Sequence, residues 1–267
     1  MRIEFGQLKP GEKAKQNLIN CVDTGWCSGG PKVKEFERKW NSLFNYDTSV
    51  AVSSGTDAVL NACAAVYDLN PEAERGDEII VPALSFIATS NAVLMAGFTP
   101  VFVDIEKETL NIDPKDIVNY IGPKTVGILP VHTMGKPAEM DTINALANLY
   151  KLIVIEDACE AHGAKYKDQF IGSLGDLAAF SFYIAHLVCC GEGGMVSSQS
   201  KRYNPWDIEK IIRSTRSHGR PDGTLYFDHI RFGFNSKMND LEASLGLEAV
   251  ENFWDTYNTR YDNLKYL

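Results

Sequence analysis

The sequence predicts an α/β fold, a mostly parallel sheet with helices packed on its faces, and three observations carry that prediction. Between residues 48 and 200, short β-rich runs alternate with helical stretches. The runs are continuously apolar, without strict polar alternation, as in strands covered on both faces. Strand and helix follow each other at the spacing of right-handed crossovers.

The elements follow in order. Residues 1–45 hold an irregular, glycine-bearing lead (Thr24-Gly25-Trp26-Cys27-Ser28-Gly29-Gly30) and then a charged helix over Val33–Phe44. Ser49–Ser53 reads as a strand and Thr56–Tyr67 as an amphipathic helix. Glu78–Pro82 is a second strand, Ser85–Ala96 a helix and Pro100–Asp104 a third strand. Thr125–Val131, a helix over Ala138–Tyr150 and the run Leu152–Glu156 complete the alternation. After Asn239, Asp240–Leu247 opens a helical pattern that continues towards Leu267 with no capping glycine or closing strand. No internal repeat, low-complexity tract or long linker interrupts the chain.

The 267 residues carry 26 Lys and Arg against 35 Asp and Glu, a formal charge of −9. That balance argues against nucleic-acid and anionic-membrane partners, which require a basic surface. No apolar run reaches the ~18–20 residues of a bilayer span, and Met1–Gly6 lacks the hydrophobic stretch of a secretory signal. The six cysteines (21, 27, 63, 159, 189 and 190) show no paired CxxC spacing, so reduced thiols, no metal site and a cytoplasmic location are expected.

Four segments fall in loops after strands, where open α/β sheets collect ligands. Ser53-Ser54-Gly55-Thr56-Asp57 can bring backbone N–H groups up to an anion at a helix start, or can be an ordinary Ser/Thr cap. In Glu156-Asp157-Ala158-Cys159-Glu160-Ala161-His162, Asp157 ends an apolar strand. A carboxylate there needs a cation, which a protonated cofactor ring or a structural Arg would supply equally well. His162 reads as a packed, hydrogen-bonded histidine. Phe180–Gly194 carries the Ser181 hydroxyl at the end of an apolar strand, the His186 imidazole and a glycine-rich turn, and Gly233–Asp240 is an Asn/Gly turn ahead of the last helix.

Together these segments resemble the DegT/DnrJ/StrS family of pyridoxal-phosphate sugar aminotransferases and their dehydratase relatives. The motifs recur in order: Ser54-Gly55-Thr56, Pro82–Thr89, Pro130-Val131-His132, Glu156-Asp157-Ala158, Gly191-Glu192-Gly193-Gly194 and Gly233-Phe234-Asn235. The resemblance implies a fold-type I architecture and a homodimer with active sites shared across the subunit interface. It also implies a large cofactor-binding domain over 1–238, with 239–267 a connecting helix towards a smaller C-terminal domain outside the sequence. By matching position, Gly55, Thr56 and Ser181 would hold the cofactor phosphate, and Asn235 would reach the phosphate in the partner subunit. Phe86 would stack on the pyridine ring and Asp157 would pair with its nitrogen. Glu160 stands where many members carry Gln, near the ring oxygen.

One departure bears on the reaction. The family's aminotransferases carry a lysine at the position matched by His186, and an imidazole cannot make that lysine's covalent link to pyridoxal phosphate. The resemblance is therefore to the His-bearing branch, the 3-dehydratases of nucleotide-linked 4-keto-6-deoxyhexoses in deoxysugar (O-antigen type) biosynthesis. There pyridoxal or pyridoxamine 5′-phosphate is held non-covalently and His186 would act as the base. An iron–sulfur subgroup is excluded: Cys159 falls near its first cluster cysteine, but no cysteine follows Cys190 and such a cluster needs four thiolates. The remaining subgroup, the GDP-4-keto-6-deoxymannose 3-dehydratases, recycles its cofactor with glutamate and releases ammonia. An aminotransferase using His186 as base, and a non-catalytic cofactor- or sugar-binding homologue, stand as alternatives.

Overall fold

A computed structural model describes residues 6–221 and 228–266. Met1–Phe5, which the leader reading concerns, and Leu267, at the end of the terminal helical pattern, lie outside the described residues. Among the described residues the strands are β1 (Thr48–Val52), β2 (Glu78–Pro82), β3 (Thr99–Val103), β4 (Thr125–Ile128), β5 (Ile153–Asp157), β6 (Lys165–Tyr166), β7 (Gln169–Phe170), β8 (Leu177–Ser181) and β9 (Gly194–Ser198). Seven of them form one sheet in the order β1-β9-β8-β5-β4-β2-β3. Its β8-β5-β4-β2-β3 portion is parallel, while β9 runs antiparallel to both β8 and β1. The predicted α/β class with a mostly parallel sheet therefore holds. β1, β4, β5, β8 and β9 are buried along their whole length, which is why they read as unbroken apolar runs.

The helices are α1 (Glu12–Thr24), α2 (Pro31–Phe44), α3 (Gly55–Ala64), α4 (Val66–Leu69), α5 (Ile87–Ala96), α6 (Met140–Tyr150), α7 (Pro205–Thr215), α8 (Asp240–Glu251) and α9 (Phe253–Leu264). Several sequence expectations are corrected. Much of the irregular lead is helix α1, which buries only Ala14 and Cys21 and so carries little periodic signal. The run expected as a strand to Val131 stops at Ile128, ahead of Pro130, which has no N–H to donate. The helix expected over 56–67 ends at Ala64, and the terminal pattern breaks at Asn252 into α8 and α9.

Buried side chains of α3 and α5 pack on one side of the sheet. On the other, Trp40 of α2 sits edge-on to Phe44, Phe180 and Phe182, with centroids 4.6, 5.1 and 5.1 Å away. Glycine starts α2, so no side chain of its own caps it. Asp240 at the start of α8 does so instead, accepting from the N–H groups of Gly30 (2.8 Å), Val33 (3.0 Å) and Lys32 (3.1 Å).

The strand that delivers the site, β5, is locked by its penultimate residue. Glu156 is fully buried, and its carboxylate accepts from the N–H groups of Gly172 (2.9 Å), Leu174 (2.9 Å) and Gly175 (2.7 Å). His132 Nδ1 accepts from Ala138 N–H at 3.0 Å, so its proton sits on Nε2 and is donated to Glu156 at 3.0 Å. Glu156→Ala strands these buried donors and is predicted to cost about 3–5 kcal/mol in denaturant unfolding. A loss below about 1 kcal/mol would contradict the network's role.

Candidate active site

The carboxyl ends of the parallel strands open onto a cleft of about 1300 Å³, the place where open α/β sheets hold ligands. Of the predicted residues, Gly55, Thr56, Phe86, Asp157, Glu160, Ser181 and His186 all line it, and Asn235 does not. Asn235 is exposed beside the end of β1, where its Oδ1 accepts from Lys237 Nζ at 2.6 Å.

One end of the cleft is built from two turns pressed together. Ser54 caps α3, its Oγ accepting from Asp57 N–H at 3.0 Å, which leaves the N–H groups of Gly55 and Thr56 at the helix start without intrahelical carbonyls. A Cβ on Gly55 would stand 2.5 Å from Ser181 Cβ, and one on Gly194 only 2.2 Å from the Ser54 carbonyl oxygen. Only glycines let these backbones meet. Ser54 thus caps the helix, and the same turn offers free donors beside the Ser181 hydroxyl, a cradle for an anion.

Asp157 ends β5 and is 6% exposed. Its Oδ2 accepts from Thr89 Oγ1 at 2.8 Å and its Oδ1 from Cys159 N–H at 3.3 Å. Among the described residues no cation pairs with it. A buried carboxylate facing a cleft with neutral donors is matched by a cationic ligand. The anion cradle at one end and this carboxylate beyond it fit the two poles of a phosphorylated pyridinium. Phe86 immediately precedes α5, is 76% exposed and lines the cleft. Glu160 Oε2 is engaged by the N–H of Met134 at 2.9 Å.

His186 lies half-buried in the loop between β8 and β9, its N–H donating to Tyr183 O at 3.0 Å. Burial lowers its basicity, Glu160 and Asp157 partly restore it, and the Arg260 guanidinium opposes them, leaving it below the ordinary imidazole value. Its ring is 5.8 Å from that of His162. His162 is buried among Trp40, Phe180 and Phe182; its Nδ1 accepts from Val188 N–H at 3.3 Å, and Nε2 has no hydrogen-bond partner among the described residues. It is the packed histidine the sequence suggested, held neutral by burial with a pKa pushed down to about 3.

The sequence reading missed three lining or supporting groups. Thr89 lies one helical turn beyond Phe86 within the Pro82–Thr89 motif, so that segment signalled it. Lys165 lines the cleft from β6 with its ammonium over the Phe170 ring, 4.6 Å from the centroid. Arg260 reaches the cleft from α9, and no local pattern marks it.

A sequence model of the DegT/DnrJ/EryC1/StrS aminotransferase family matches residues 9–267. GDP-perosamine synthase of Caulobacter vibrioides is 37% identical over 94% of this chain and 65% of its own length. Spore coat polysaccharide biosynthesis protein SpsC of Bacillus subtilis is 35% identical over 94% of this chain and 64% of its own. The chain thus spans slightly less than two thirds of these relatives. Among solved structures, a His-to-Asn variant of GDP-4-keto-6-deoxymannose-3-dehydratase with bound GDP-perosamine superposes with a TM-score of 0.89 at 26% identity, covering 99% of this chain and 72% of that one. A putative sugar aminotransferase from Streptococcus pneumoniae in its PMP form gives 0.85 at 25% identity, covering 96% and 67%.

Two outcomes follow from the geometry. Gly55→Ala is predicted to weaken pyridoxal phosphate binding about tenfold or more in an absorbance titration, since a Cβ must push Ser181 out of the cradle; unchanged affinity would place the phosphate elsewhere. NMR titration should find His162 unprotonated down to about pH 4, as its pKa lies near 3. Between about pH 6.5 and 3 the unfolded chain takes up a proton on this ring that the folded chain refuses. This ring therefore makes stability fall as pH drops through that window, and a His162 that titrates near 6.5 would contradict its burial.

Proposed function

The chain belongs to the DegT/DnrJ/EryC1/StrS aminotransferase family, and on that basis we propose that it is a pyridoxamine-phosphate-dependent 3-dehydratase, a lyase acting on a nucleotide-linked 4-keto-6-deoxyhexose. The observation that carries this reading is an imidazole, His186, on the cleft wall, at the position that the resemblance matches to the lysine of the family's aminotransferases. With no primary amine there, the cofactor is held by non-covalent contacts alone. Among the described lining residues the lysine is Lys165, whose ammonium is turned over Phe170.

Gly55, Thr56 and Ser181 would take the cofactor phosphate, Phe86 the ring face and Asp157 the ring nitrogen, with Glu160 near the ring oxygen. Bound pyridoxamine phosphate supplies an amine for the sugar's C4 ketone and a ring that draws electrons from the reacting carbon. Asp157, oriented by Thr89, keeps the proton on the ring nitrogen. His186 accepts a carbon-bound proton at a ring nitrogen, and the C3 hydroxyl departs as water. The lowered basicity of His186 keeps it neutral, and so able to accept, near pH 7.

A GDP-linked sugar is favoured by the GDP-perosamine synthases among the relatives and by the dehydratase structure with GDP-perosamine bound. Glutamate serves as amino donor in this reading. A homodimer completes the site, Asn235 reaching the partner's cofactor phosphate. In this reading residues 1–238 form the cofactor domain, and 239–267 lead towards a smaller C-terminal domain. Aminotransfer is the second reading, favoured by the relatives themselves, which include a 3-oxo-glucose-6-phosphate:glutamate aminotransferase of Bacillus subtilis, 37% identical.

Given pyridoxamine phosphate, glutamate and GDP-4-keto-6-deoxymannose, the protein is predicted to yield a sugar lacking the C3 oxygen by mass spectrometry, with ammonia released. An aminated sugar that keeps its C3 oxygen would assign aminotransfer instead. His186→Asn should lower turnover by about 10²–10⁴-fold, and undiminished turnover would remove His186 as the base.

A further inference from the structure

Helix α9 is rooted at Phe253, which is fully buried against Phe44 (centroids 5.0 Å apart), and its outer turns run along the cleft. From those turns Arg260 reaches the loop that carries His186. Its Nη1 donates to the Ala185 carbonyl at 3.3 Å and its Nη2 to the His186 carbonyl at 3.2 Å. A planar fork that holds two successive carbonyls fixes the peptide plane between them, which a single ammonium cannot do. The other main-chain anchor at this residue is the short turn from His186 N–H to Tyr183 O.

We infer that Arg260 is a positioning residue for His186, docking α9 onto the main chain at 185–186 so that the place of the imidazole in the cleft depends on the place of the helix. The inference rests on the reading of His186 as the reacting base, but the contact itself does not require it. The charged and titratable groups facing the imidazole are Asp157 and Glu160 from β5 and the loop after it, His162 and Tyr183 with rings at 5.8 and 6.2 Å, and Arg260 from α9. Of these, Arg260 is the cation, and it favours the neutral imidazole.

The test uses Arg260→Gln and Arg260→Lys in the protein without cofactor or substrate. Arg260→Gln is expected to speed hydrogen exchange of the loop amides at 184–190 about tenfold, the order set by two ordinary hydrogen bonds, while amides of β8 keep wild-type rates. It should also move the His186 NMR titration to higher pH. Arg260→Lys keeps the charge and loses the fork, so it should retain the wild-type titration but show faster loop exchange. With substrate, Arg260→Gln should lower kcat with KM for the nucleotide sugar little changed. Wild-type exchange and titration in Arg260→Gln, or a loss confined to KM, would overturn the inference and leave Arg260 a substrate contact. Failure of His186→Asn to affect turnover would sink the base assignment while leaving this exchange result standing.

Discussion

A carboxylate taken out of water must recover its lost hydration from cations or from N–H and O–H donors. Asp157 recovers part of it from the Thr89 hydroxyl and the Cys159 amide, with no cation among the described residues. Its neighbour on the same strand has the opposite arrangement: Glu156 points away from the cleft into a full set of backbone donors and His132. Adjacent residues on a strand face opposite sides, so satisfying Glu156 in the interior fixes where Asp157 emerges. The anion cradle of Gly55, Thr56 and Ser181 and the His186 loop line the same cleft as Asp157.

The glycine-rich turn after this loop gives the arrangement its compactness. Gly193 adopts φ +144° and Gly194 packs on the Ser54 carbonyl, so that β9 begins against the start of α3. A side chain at Gly194 would drive apart the two turns that make the cradle, and one at Gly193 would collide with the Met238 side chain. The imidazole pair beyond it is asymmetric. Both line the cleft, but His162 is buried among aromatic rings and stays neutral, whereas His186 is half-buried near two carboxylates and a guanidinium.

The sheet was legible because its central strands are buried on both faces and therefore spell out apolar runs. Part of the pocket was legible because its residues cluster at strand ends: Ser54-Gly55-Thr56, Asp157 and Ser181 each close or follow an apolar run. What escaped lacked a local signal. Helix α1 buries two side chains, and β9 lies directly behind glycines that read as a turn. Arg260 meets His186 across 74 residues of sequence. Asn235 carries a motif yet stands exposed outside this chain's cleft.

If the His186 imidazole stands in place of a tethering lysine, the cofactor is gripped by shape and charge alone. The most direct measurement is borohydride reduction of the protein saturated with pyridoxal phosphate, followed by intact-mass and peptide analysis. Borohydride fixes any carbon–nitrogen double bond between cofactor and lysine. The account predicts an unmodified chain mass, and a His186→Lys variant that gains the cofactor's mass on the peptide containing residue 186. Stoichiometric labelling of the wild-type chain at Lys165 or any other lysine would contradict it.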